Sequence, residues 1–254
     1  MKVCVLASGS KGNVTYVEAN NQKILLDAGK NYKYIKDKLK EIDVDIKDIN
    51  YILISHNHTD HISALKSLVS KTNATIIVSL QLLYELEELK DYKHIVTIEN
   101  ELEVDNIKIT SFHSSHDAID SRNFIIDDGF SKLAYVTDTG YVNNKYFKLL
   151  KNLDVYLFES NHDVELLQHG PYPDWLKRRV LSDNGHLSNK SSSFYLSKLI
   201  GDNTKKIILI HLSEINNLES IAMETINNTF MDYGLNFKNI ICARQNEKTE
   251  VIEV

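Results

Sequence analysis

Apolar, largely β-branched runs recur along the whole chain: VCVL near the start, then VTYVE, ILLD, YILIS, TIIVS, HIVTI, IKITSF, FIID, LAYVTD, VYLFES, IILIHL and a terminal VIEV. Each reads as a buried strand. Between many of them lie segments with apolar residues three and four apart, which predict helices: ISALKSLVSK, LQLLYELEEL, NKYFKLLKNL, SSSFYLSKLI and LESIAMETINNTF. Turns rich in Gly, Asn and Ser (SGSKGN, ANNQ) join the first strands as a hairpin, and later strands alternate with helices. The expected architecture is α/β: two mixed sheets packed face to face with helices on both outer sides, a four-layer αββα sandwich.

No proline-rich linker, low-complexity tract or fixed-period repeat interrupts this pattern, so residues 1–254 read as one domain. A hydrophobic share of 43% supplies a substantial core. The net charge of -6 argues against binding nucleic acid through bulk electrostatics. It leaves room for a local cationic site whose charge comes from metal. The first apolar run, about five residues, is too short for a signal-peptide core. No stretch approaches the ~18 apolar residues of a membrane span. Cys4 and Cys242 lie near opposite ends with no pairing pattern, which suits a reducing compartment. A cytoplasmic protein with no membrane contact is the expectation.

Chemistry concentrates in SHNHTDH, residues 55–61, which holds three of the ten histidines. The run YILIS before it is a strand pattern and ISALKSL after it is helical. In an extended segment residues i and i+2 project to one side, so His56 and His58 converge on one point. Asp60 and His61 follow where the chain turns, and face a second point. Neutral imidazoles with carboxylates favour zinc, manganese or iron. Further ligands are expected at strand ends: His116 after IKITSF, Asp138 closing LAYVTD and His211 closing IILIHL. Asp138 has two oxygens and can bridge two cations. One ion would then have His56, His58, His116 and Asp138; the other would have Asp60, His61, His211 and Asp138. A shared water or hydroxide completes both shells.

HxHxDH followed by a single His, a single Asp and a last His resembles the metallo-β-lactamase superfamily. More narrowly, SGSKGN, LLDAG, SHNHTDH, SSHDA, VTDTG, FESNHD, GHLSN and HLSEIN, in this order, resemble its YycJ/WalJ branch. The resemblance implies the αββα sandwich, a dinuclear site at the sheet edges and hydrolysis of phosphodiesters. For the branch it implies a DNA exonuclease with a role in repair. Secreted lactamases place a cysteine where this chain has His61, and RNase J-like enzymes carry a large extra domain. Glyoxalase-II-like thioesterases follow the motif with glycines, where Ile62 and Ser63 stand here. A small thioester, lactone or cyclic phosphodiester is the rival substrate class, and a metal-bound DNA- or protein-binding module is the non-enzymatic rival.

The resemblance, together with the residues' own chemistry, suggests roles for accessory residues. Asp27 in LLDAG would support the histidine loop, and His162 in ESNHD would stand behind the ligands. His186 in DNGHLSN is similar to the histidine of RNase Z-type enzymes that protonates the leaving oxygen. It also competes with His211 for the second metal. Asp60 would orient the nucleophile. The SGSKGN turn offers Ser10 and Asn13 to a phosphate. Lys177, Arg178 and Arg179 form the one dense basic run and are candidates for the nucleic-acid backbone, with Trp175 beside them. His113 and His116 cannot share one strand face, and the resemblance favours His116.

Overall fold

Consecutive residues of the apolar runs point to opposite sides of a sheet, and in this protein both sides are buried. The computed structural model describes residues 1–254. Its first sheet contains β1 (Lys2–Ala7), β2 (Val14–Ala19), β3 (Gln22–Leu26), β4 (Tyr51–Leu53), β5 (Thr75–Val78) and β6 (Ile95–Thr97). The second contains β7 (Glu101–Val104), β8 (Ile107–His113), β9 (Arg122–Asp127), β10 (Lys132–Val136), β11 (Val155–Glu159), β12 (Lys206–Ile210) and β13 (Ile240–Cys242). The last strand, β14 (Ile252–Glu253), returns to pair with β1 at the edge of the first sheet. Each half begins antiparallel and continues parallel: β1 to β3 then β4 to β6, and β7 to β10 then β11 to β13.

Val3, Val5, Ile24, Leu26 and Ile77 face Ile109, Ile126, Leu133, Tyr135 and Leu157 in the layer between the sheets. Their neighbours Cys4, Leu6, Leu25 and Ile76 point the other way. There they pack under α1 (Tyr32–Lys40), α3 (Leu65–Lys71) and α4 (Leu80–Glu85) through Ile35, Leu39, Leu65, Leu68 and Leu82. The short α2 (Thr59–Ile62) precedes α3. On the far side Ala134, Val136, Tyr156 and Phe158 lie under α5 (Phe147–Leu150), α8 (Asn189–Leu199) and α9 (Glu219–Asp232). Two further short helices, α6 (Val164–His169) and α7 (Asp174–Val180), rise between β11 and α8. Strands covered on both faces need no polar alternation, which explains the unbroken apolar runs. The expected four layers are therefore present. Both cysteines are free and buried.

Five elements escaped the pattern, α6 and α7 among them. ELEV (β7) is an edge strand with its glutamates exposed, and IIC (β13) is short and also at an edge. α1 buries only Ile35 and Leu39 among lysines, and its start is set by Asn31, whose side chain accepts from Tyr34 N.

The turns before β2 and after β3 lock onto the histidine loop through backbone bonds. Asn13 N donates to Asp60 O (2.8 Å), Ala28 N to His61 O (2.7 Å) and Ala64 N to Ala28 O (2.8 Å). Gly29 sits so close that a Cβ there would lie 1.6 Å from Asp60 O. The approach is available only to a residue without a side chain. Gly29→Ala should lower stability by about 3 kcal/mol or more and deplete bound metal. Urea unfolding and elemental analysis of the purified variant would check both.

Candidate metal centre

The side chains that matter leave the ends of strands, where the sheets no longer cover them. Asp27 follows β3, Ser55 and His56 follow β4, Asp138 follows β10, Glu159 ends β11 and His211 follows β12. Asp27, Asp138 and His211 adopt left-handed backbone conformations (φ 60°, 49° and 57°). Such residues are uncommon outside glycine and cluster where a side chain must be re-aimed. The turn after each strand thereby directs its side chain across the sheet edge.

His56, His58 and His116 form one group, with ligand atoms all within 4.8 Å of one another. His116 Nδ1 donates to Gly185 O (3.1 Å), so in the neutral ring Nε2 carries the lone pair; it lies 3.2 Å from His58 Nδ1. His56 is fully buried; its Nδ1 meets Ser55 Oγ (2.9 Å) while Nε2 has no partner. Burial first, then the neighbouring imidazoles, push His56 well below the ordinary histidine range. A buried lone pair left unmatched beside two others is what a cation would satisfy.

Asp60, His61 and His211 form the second group. Asp27 takes His61 Nδ1 (2.7 Å), leaving Nε2 3.1 Å from Asp138 Oδ2 and 3.5 Å from Asp60 Oδ2. Asp27 also accepts from Ser55 N, Ser55 Oγ and Tyr135 Oη. His211 Nε2 lies 3.7 Å from Asp60 Oδ2. Asp138 stands between the groups: Oδ1 is 3.6 Å from His116 Nε2, and Oδ2 faces His61. The donor set and the orphaned His56 nitrogen fit divalent metal ions. The residues able to hold them are His56, His58, Asp60, His61, His116, Asp138 and His211.

Glu159 was not anticipated. It is fully buried, and Oε1 accepts from Nδ1 of both His186 (2.8 Å) and His211 (2.9 Å), while Oε2 takes Leu187 N and Thr139 N. Burial alone would raise this carboxyl, but the two histidines and these bonds bring it down to about 2. One carboxylate therefore turns two imidazoles so that each Nε2 faces outward. His186 and His211 lie side by side, with ring centres 5.2 Å apart, and with Asp138 and Glu159 they form a further group whose ligand atoms are within 4.8 Å of one another. The only sequence hint was a charged residue at the end of the apolar run VYLFES.

A cavity of about 390 Å³ opens over the centre, lined by Ser10, His58, Asp60, Asp138, His186, His211 and, on one wall, Tyr172, Leu176 and Arg179. Asn13 does not line it, contrary to expectation. It is buried, and Nδ2 faces Asp60 and His61 (3.3 and 3.0 Å), so it supports the loop. His162 also departs from expectation, since both ring nitrogens are buried without a partner and hydrogen-bond to no candidate ligand. Lys177 spends its ammonium on Gln168 O, and Arg178 is exposed beside Trp175, itself 62% exposed. Of the basic run, Arg179 alone lines the cavity. His113 pairs with Asp120 away from the centre.

A family model described as the beta-lactamase superfamily domain matches residues 22–212. The chain belongs to that superfamily. It is 36% identical to an exodeoxyribonuclease YycJ of Bacillus anthracis, covering 91% of this chain and 89% of the relative. It is 38% identical to an exodeoxyribonuclease WalJ of Streptococcus pneumoniae, covering 93% and 92%. The metallo-β-lactamase fold protein YhfI of Bacillus subtilis superposes with a TM-score of 0.75 over 98% of both chains at 17% identity. The superfamily's fold and the metal-ready cluster make this protein a metal-dependent hydrolase.

Glu159→Gln presents an amide N–H to one of two histidine donors, and should cost roughly 10–100-fold in metal affinity or hydrolysis. Competition with a chelating dye and steady-state rates would measure it. Burial pushes His162 down to about 4 from the usual 6.5. The unfolded chain therefore takes a proton that the folded chain refuses, so stability is present above about pH 6.5 and falls as pH drops toward 4. The loss attributable to His162 is about 3 kcal/mol. Denaturant titrations at stepped pH should give a flatter profile for His162→Gln.

Proposed function

We propose that the protein is a DNA exonuclease that hydrolyses phosphodiesters at two divalent metal ions. The observation that carries this reading is Asp138, whose two oxygens face two separate groups of ligand atoms beneath the cavity that also holds His186. The relatives named as exodeoxyribonucleases match about nine-tenths of the chain and support DNA as the substrate. One ion would be held by His56, His58, His116 and Asp138, the other by Asp60, His61, His211 and Asp138. Zinc, manganese and iron all suit nitrogen and oxygen donors. Bound there, the ions would supply a water of lowered pKa and charge to stabilise the phosphoryl oxygens.

The chain's own groups do the rest. Asp60 Oδ2 faces His61 and His211, and Oδ1 is left to orient the attacking water and take its proton. His186, fixed through Nδ1 by Glu159, presents Nε2 to the leaving oxygen and protonates it. No helix is long and apolar enough to cross a membrane.

Purified protein with manganese or zinc should shorten 5′-labelled DNA from an end, and His58→Ala should lose more than about a hundredfold. Intact DNA beside a metal-loaded protein would turn the reading to a small thioester, lactone or cyclic phosphodiester. His186→Ala should lose about 10²–10⁴-fold on DNA. Its loss should shrink on the p-nitrophenyl ester of a thymidine monophosphate, whose leaving group departs without a proton. Equal losses on both substrates would remove His186 from the acid role.

A further inference from the structure

The basic run was read from sequence as a unit, but only one of its members reaches the cavity. Arg179 does so from the last turn of α7, and its guanidinium is not free to wander. Nε and Nη2 donate to the two oxygens of Asp117 at 2.5 and 2.8 Å, a fork-to-fork pair that fixes the plane of the group. Nη1 has no partner in the protein. Asp117 follows the candidate ligand His116, and its Oδ1 lies 3.6 Å from His116 Nε2. The arginine is thus one carboxylate away from the metal centre.

Its backbone is held as firmly. His186 N donates to Val180 O (3.0 Å), and a Cβ on Gly185 would lie 2.3 Å from the carbonyls of Arg179 and Val180. The end of α7 and the loop carrying His186 therefore form one rigid wall. An unpaired arginine would lose conformational freedom on meeting an anion, whereas this one, though its side chain is 39% exposed, is already held by Asp117.

We propose that Arg179, positioned by Asp117, binds through Nη1 a phosphate of the DNA strand next to the one being cleaved. The inference rests on the nuclease reading, since it requires a substrate with more than one phosphate. It assigns the pair a role in binding: Arg179 touches substrate, and Asp117 acts through Arg179.

The test uses the metal-loaded protein and two substrates of the same sequence: single-stranded DNA for cleavage, and a fluorescent phosphorothioate oligonucleotide for binding by anisotropy. Arg179→Ala should raise KM and weaken binding about tenfold, with kcat within about twofold. The slope of log affinity against log salt should become shallower by about 0.7, the value for one phosphate contact on a single strand. Arg179→Lys should recover part of the affinity, because the charge remains while the fork is lost. Asp117→Asn should fall between wild type and Arg179→Ala.

Unchanged affinity and salt slope in Arg179→Ala would overturn the proposal, as would a fall in kcat with KM unchanged. A wild type that binds the oligonucleotide without cutting DNA would refute the nuclease reading alone, and the arginine's effect on binding would still decide the contact. A wild type that does not bind would overturn both.

Discussion

A single buried carboxylate, Asp27, ties the two sheets together beneath the metal centre. It takes Ser55 N, Ser55 Oγ and His61 Nδ1 from the histidine loop of the first sheet, and Tyr135 Oη from the second. An unpaired charge at that depth would be strongly destabilising, and the four donors compensate it. With them in place, the loop of His56, His58, Asp60 and His61 has one position relative to β10 and Asp138. Burial and the adjacent carboxylate keep Tyr135 protonated as the donor.

Glu159 does in the second sheet what Asp27 does in the first. Each is fully buried, each belongs to the end of a strand, and each holds imidazole through Nδ1: Asp27 that of His61, Glu159 those of His186 and His211. Asp138, between them, meets rings held by both: His61 from one side and His211 from the other. The centre is therefore assembled by two supporting carboxylates, one per sheet, meeting over a shared one. Crowded imidazoles are tolerable in this arrangement because carboxylates compensate them before any metal binds.

The αββα layering was legible because strands buried on both faces carry runs such as VYLFE and KIILI that no exposed strand would need. The ligand candidates were legible for a different reason. His56, His58, Asp60 and His61 owe their convergence to spacing within one short segment, which local geometry dictates. Asp138 and His211 stood out as polar residues closing apolar strands. The edge strands β7 and β13 were missed because edges need little burial, and α1 because two buried residues suffice to hold it.

What the chain order alone determined is the doubly buried strands, the longer helices packed on them and the local cluster at 55–61, since these depend on neighbours a few residues apart. Tertiary structure alone decided that Glu159 governs His186 and His211, that Asn13 supports Asp60 instead of meeting a phosphate, and that Arg179 reaches the cavity while Lys177 and Arg178 do not. The partners of Glu159 lie 27 and 52 residues away, and Asn13 meets Asp60 across 47. Contacts at such separations arise when sheets stack and strand ends meet, and no local pattern records which ends will face each other.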